Sequence, residues 1–190
     1  MKYKNIYFIG IGGIGMSAIA RFCKFKGCAV SGYDRTRSEL TDKLSEEGIA
    51  VHYTDDPSFI PGDVNDTLVI YTPAVPDDMG ELVYARAHGY HVLKRSQMLG
   101  ELTRGETCLA VAGTHGKTTT STLVAHILTE SGMGCSAFLG GISRNYGTNM
   151  LVSETPTVVV EADEFDRSFH WLNPYIAVVT APDPDHLDIY

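Results

Sequence analysis

Two short glycine-rich segments, about a hundred residues apart, constrain this chain more than anything else in it. The first, Gly10-Ile11-Gly12-Gly13-Ile14-Gly15, follows an apolar run, Asn5–Ile9, and leads into an amphipathic stretch, Ile14–Lys26. The second, Gly113-Thr114-His115-Gly116-Lys117-Thr118-Thr119-Thr120, follows the apolar Thr107–Ala112 and leads into Lys117–Ser131. Glycine lets the backbone turn sharply between a strand and a helix. The helix N-terminus then presents free N–H groups and the positive end of its dipole, a ready site for an anion. Two such turns imply two α/β units, each with its own phosphate-facing loop.

The rest of the pattern fits that frame. Strands are expected at Cys28–Gly32, Ile49–His52, Leu68–Thr72 and Tyr90–Leu93, with helices at Glu39–Glu47, Gly80–His88 and Ser96–Leu102. Past Arg104-Gly105 the pattern restarts, with further strands at Cys135–Leu139, Thr157–Val160 and Ile176–Thr180. Strands alternating with helices at this spacing predict βαβ units and a mostly parallel sheet. The expected fold is therefore α/β: a Rossmann-like parallel-sheet domain over residues 1–104, then part of a P-loop α/β ATPase domain over 105–190. The second unit is expected to be incomplete, because no helix follows its last strand and buried parallel sheets are covered on both faces.

Charge narrows the function. The chain carries a formal net charge of −8, and almost all of it lies in the second half, where residues 101–190 hold 4 basic and 11 acidic side chains. A nucleic-acid binder needs a basic stripe, so that class is excluded. Four cysteines, Cys23, Cys28, Cys108 and Cys135, make no CxxC pair, which suits a reducing cytoplasm. No apolar run reaches the roughly 18 residues of a membrane span. Lys2 and Lys4 before Ile6–Met16, with Ala18-Ile19-Ala20 beyond, imitate a signal peptide. Four glycines within that run, poor helix formers, argue against it.

Four segments carry chemistry. The first loop matches G-x-G-x-x-G, and Asp34 closes the following strand where a dinucleotide fold puts its ribose-binding acid. A phosphate ligand or a purely structural turn both remain open for it. In the second loop, Gly113 to Thr119 would wrap nucleotide phosphates, Lys117 would neutralise them, and the Thr118 hydroxyl would reach Mg²⁺. Val111 stands where the general P-loop has its first glycine, so Gly113 must do the turning. His115 reads as a loop hydrogen-bonding group or a catalytic one. Glu161-Ala162-Asp163-Glu164 ends a strand, where a carboxylate can hold the cation. His186, in Asp183-Pro184-Asp185-His186-Leu187-Asp188, is either structural or a metal ligand. Glu161 is expected to ligate directly, with Asp163, Glu164 and Asp185 behind it.

Taken together, GIGGIGMS (Gly10–Ser17), GTHGKTTT (Gly113–Thr120), EADEFDRSF (Glu161–Phe169) and DHLDIY (Asp185–Tyr190) resemble the Mur ligases. Thr72-Pro73-Ala74-Val75, Lys94–Leu99, Gly140-Gly141 and Asn149 look like the same family. The resemblance implies an ATP- and Mg²⁺-dependent ligase of peptidoglycan precursor synthesis in the cytoplasm. Its closest pattern is that of members joining L-alanine to the carboxylate of UDP-N-acetylmuramate through an acyl phosphate. Carried over by position, Gly10, Gly12, Gly13, Gly15, Met16, Asp34 and Thr72 would bind the UDP-sugar, with Asn149 and Ser168 near it. Gly113, Thr114, His115, Gly116, Lys117, Thr118 and Thr119 would bind ATP. Lys117, Glu161 and His186 would be catalytic, and Thr118, Glu161 and His186 would hold Mg²⁺. A third, C-terminal domain would follow in the complete protein, so this chain alone is expected to bind but not to ligate. Two departures stand out: Ala181-Pro182 replaces an Asn-containing loop, and Phe165 stands where Ser is common. Competing readings are a ligase that recycles a tripeptide onto the same UDP-sugar, a non-catalytic UDP-sugar-binding module, and a nicotinamide oxidoreductase. The last leaves the second loop unexplained.

Overall fold

The computed structural model describes residues 2–183, with backbone only for residues 165–167. It divides into two compact units, Met1–Arg95 and Ser96–Tyr190. The family of expected strands and helices recurs in it with ends shifted by a residue or two.

The first unit carries β1 (Asn5–Ile9), β2 (Ala29–Tyr33), β3 (Ala50–His52), β4 (Thr67–Tyr71) and β5 (His91–Lys94). They form one parallel sheet in the order β3-β2-β1-β4-β5. Ile6 to Ile9 of the central β1 are buried, as expected for a strand covered on both faces. Tyr7 and Ile9 point into a cluster with Val69, Met79, Leu82 and Ala85, where α3 (Gly80–Ala87) packs. α1 (Ile14–Phe25) and α2 (Glu39–Glu46) pack against each other. Ser38 and Thr41 close a reciprocal cap on α2. At α3 the cap comes from afar: both Asp55 oxygens accept from the N–H groups of Gly80 and Glu81 at 2.8 Å.

A polar cluster sits inside this unit. Glu81, in the first turn of α3, has no exposed surface. Tyr7 donates to it at 2.7 Å, the Asp56 N–H donates at 3.2 Å, and His52 Nε2 lies 3.7 Å away. The Tyr7 hydroxyl also lies 2.6 Å from His52 Nε2. His52 stacks on Phe59, in a 3-10 turn at Pro57–Phe59.

The second unit carries β6 (Thr107–Ala112), β7 (Ser136–Phe138), β8 (Met150–Leu151), β9 (Thr157–Glu161) and β10 (Ile176–Val179), with α5 (Lys117–Glu130) and most of α4 (Arg95–Thr103). The sheet order is β10-β6-β9-β7-β8. All neighbours are parallel except the short β8, which runs antiparallel to β7. Ala125 of α5 packs with Cys135, Ala137, Leu139 and Val159. β10 is an edge strand whose side chains stay exposed, Val179 at 63%. Among the described residues no helix is long and apolar enough to cross a membrane. All four cysteines are free and buried.

Candidate functional site

Each unit places its glycine loop at the C-terminal end of a central parallel strand, where ligands bind in open α/β sheets. In the first unit, Gly10 takes a left-handed φ of 87°, and its N–H and that of Ile11 bond to the Tyr33 carbonyl at the end of β2. A side chain at Gly10 would collide with Thr72, so these two expected residues pack together. Gly13 caps α1 without a side-chain hydrogen bond. Gly12 donates its N–H to Asp34 Oδ2 at 2.7 Å, and Thr36 donates to Oδ1 at 3.1 Å. Asp34 therefore holds the loop as well as standing beside it. Arg95 packs over Gly15.

The Met16 side chain is buried on the inner face of α1 and passes beside Gly13 of the loop. Asn149 and Ser168 belong to the second unit and are both buried. Asn149 leads into β8, where its carbonyl accepts from Leu139, and Ser168 lies in a 3-10 segment, Phe165–Trp171.

The second loop is the more elaborate. Gly113 and Gly116 take φ of 119° and 82°, and Gly116 caps α5. Thr114 donates its N–H to the Ala181 carbonyl at 2.8 Å. Thr180 at the end of β10 donates its hydroxyl to the His115 carbonyl. His115 meets Thr180 through its backbone.

Lys117, the first residue of α5, folds back over the loop. Its Nζ donates to the Gly113 carbonyl at 2.7 Å and to the two Glu164 oxygens at 2.8 and 2.9 Å. Thr118 donates to Glu161 Oε2 at 3.0 Å. Glu161 Oε1 accepts from Ser121 at 3.0 Å and from the Gly140 N–H at 2.6 Å. Thr119 is exposed on the same helix turn. Lys117 and Thr118 thus stand at the loop with Glu164 and Glu161 beside them. His186 and Asp185, expected to join them, lie outside the described residues.

The Thr118–Glu161 pair is two hard oxygen donors side by side. Among the described residues no group of three or more His, Cys, Asp or Glu could hold a metal ion. Mg²⁺ fits that sparse set, since it is usually held by one or two carboxylates plus substrate oxygens and water. Ser121 was not read from the sequence, Gly140 was quoted without a role, and Glu164, expected behind Glu161, pairs with Lys117 instead. Ser121 offered one signal: a serine four residues after Lys117 lies on the loop-bearing face of the helix.

Comparison with known proteins gives the family and the fold. A model of the Mur ligase family catalytic domain matches residues 5–107, and one of the Mur ligase middle domain matches 111–190. The chain belongs to the Mur ligase family. The UDP-N-acetylmuramate–L-alanine ligase of Phocaeicola vulgatus is 61% identical over 191 residues, covering 98% of this chain and 42% of that protein. The same-named protein of Porphyromonas gingivalis is 60% identical over the same coverage. The chain thus spans about two-fifths of the length of these curated relatives. The solved UDP-N-acetylmuramate–alanine ligase of Thermotoga maritima is 35% identical, with a TM-score of 0.89 over 97% of this chain and 43% of its own. A UDP-N-acetylmuramate:L-alanyl-γ-D-glutamyl-meso-diaminopimelate ligase from Neisseria meningitides shares the fold equally, with a TM-score of 0.89 at 29% identity over 99% of this chain and 63% of its own.

Proposed function

We propose that this Mur ligase chain supplies the UDP-sugar and ATP sites of an enzyme that joins L-alanine to UDP-N-acetylmuramate in peptidoglycan precursor synthesis. The part over 1–104 takes the UDP-sugar, its diphosphate resting on the Gly10–Gly15 loop at the N-terminus of α1. The part over 105–190 takes ATP. The observation that carries the reading is the convergence of Lys117, Thr118 and Glu161 on one phosphate loop. High identity to two ligases of that name supports the choice of acceptor.

The chemistry asked of these residues is positioning and charge stabilisation. The sugar's carboxylate attacks the ATP γ-phosphorus, forming an acyl phosphate and releasing ADP. The L-alanine amine then attacks the acyl carbon, and phosphate leaves with the amide formed. Lys117 would leave Glu164 and neutralise the transferred phosphoryl. The N–H groups of Gly113 to Thr119 would line the phosphates. Thr118 and Glu161 would hold Mg²⁺, with His186 as the proposed third ligand; the ion would neutralise β- and γ-phosphate oxygens. Asp34, Thr72, Asn149 and Ser168 remain proposed sugar-side residues. Four free thiols support a cytoplasmic setting.

Calorimetry of this chain with UDP-N-acetylmuramate and with ATP–Mg²⁺ tests the two sites separately. Saturable binding of both is expected. Binding of NADH in preference to either would refute the reading. Assay of the full-length protein with L-alanine against the L-alanyl-γ-D-glutamyl-meso-diaminopimelate tripeptide tests the acceptor.

A further inference from the structure

Three donors hold Glu161, and they divide its two oxygens. The Thr118 hydroxyl meets Oε2, whereas the Ser121 hydroxyl and the Gly140 N–H both meet Oε1. Ser121 has no exposed surface. It stands on α5 one turn beyond Thr118, so both hydroxyls face the end of β9. The Gly140 amide reaches the carboxylate from the loop after β7. A Cβ on Gly140 would stand 2.5 Å from Glu161 Oε2, so a larger residue there would push the carboxylate aside. The terminal torsion of a glutamate is intrinsically broad, and here donors on two separate elements pin it.

We propose that Ser121 and the Gly140 amide are positioning groups for Glu161. They fix Oε1 so that Oε2 and the Thr118 hydroxyl stay together as one oxygen pair for the divalent cation that accompanies the nucleotide. This rests on the ATP–Mg²⁺ reading above and assigns a role within it to two groups that need not touch nucleotide. The Ser121 Oγ, with its single proton, also lies 3.1 Å from the Thr118 carbonyl oxygen. The ionised carboxylate is the stronger acceptor, and bonding back along a helix is the weaker alternative. Partners that orient a metal's ligands commonly govern its affinity by 10- to 100-fold.

The test uses the 190-residue chain, a fluorescent N-methylanthraniloyl ATP, and Mg²⁺ titrated from an EDTA baseline. In Ser121→Ala the Mg²⁺ concentration giving half-maximal nucleotide binding should rise about tenfold. Affinity in EDTA should stay at the wild-type value, and Ser121→Thr, which keeps the hydroxyl, should restore the Mg²⁺ midpoint. Gly140→Ala should shift the midpoint in the same direction as Ser121→Ala. A wild-type midpoint in Ser121→Ala overturns the proposal. So does an equal loss of binding in EDTA and in Mg²⁺, which would mark a purely structural serine. If wild type itself shows no Mg²⁺-dependent binding, the nucleotide reading fails and this inference falls with it; that failure appears in the unmutated chain and is distinct from the other two.

Discussion

Replacing Glu81 by glutamine should remove a pH dependence from the stability of the first unit. Burial pushes the Glu81 carboxyl up from 4.5 to about 7; the bonds from Tyr7 and the Asp56 N–H oppose that shift, and the neighbouring Asp55 and Asp56 charges add to it. Between those two pH values the folded protein keeps a proton that the unfolded chain releases. The contribution is therefore complete below about pH 4.5 and is lost as pH rises to about 7. Some 2.5 units at about 1.36 kcal/mol each gives about 3 kcal/mol. Burial moves His52 the other way, lowering its pKa, so its contribution is lost as pH falls. The two trends partly cancel in wild type, and the difference between wild type and Glu81→Gln isolates the carboxyl. The assay is urea unfolding at pH 5, 6, 7 and 8, read by amide exchange of the β1 peptide. Glu81→Gln should gain up to about 3 kcal/mol relative to wild type from the lowest pH to the highest. A difference that stays flat, or that falls with pH, would refute the argument.

Two further outcomes follow from other contacts. Glu164→Gln frees Lys117 from a paired carboxylate, so nucleotide affinity in the absence of Mg²⁺ should rise severalfold, about 1 kcal/mol; titration with the fluorescent ATP checks this, and weaker binding would mean the pair persists when phosphate is bound. Burial pushes the Cys108 thiol up to about 11 and raises those of Cys23, Cys28 and Cys135. Ellman's reagent should therefore leave the native chain nearly untouched at pH 8 and titrate all four thiols in denaturant; fast native labelling of several would contradict their burial.

The strands and helices that build both sheets were legible because each parallel strand is a short apolar run bounded by turn residues. β1 and β6 fall at their expected residues, since Asn5 and Thr107 open runs that Gly10 and Gly113 close. β8 was not legible, because two residues carry no periodicity and its pairing depends on β7. The burial of Glu81 was not legible either: an acid in a first helical turn normally faces solvent and complements the dipole, whereas here a tyrosine on β1 draws it inward. At the nucleotide site, the loop residues declared themselves through local sequence. The other two partners of Glu161 did not, because Ser121 and Gly140 lie 40 and 21 residues from it and meet it only once the sheet has formed.

The bond between Asp34 and the Gly12 amide bears on which anions the first loop accepts. The amide is already engaged by a carboxylate of the same chain. Any anion using that amide must compete with a tethered acceptor at high effective concentration. Chloride, offering one diffuse charge and no directed lone pairs, has little with which to win. An anion that presents several oxygens to the loop at once is better able to displace the carboxylate. Asp34 in this sense works as a filter, keeping the loop shut to weak anions while leaving it open to a multidentate one.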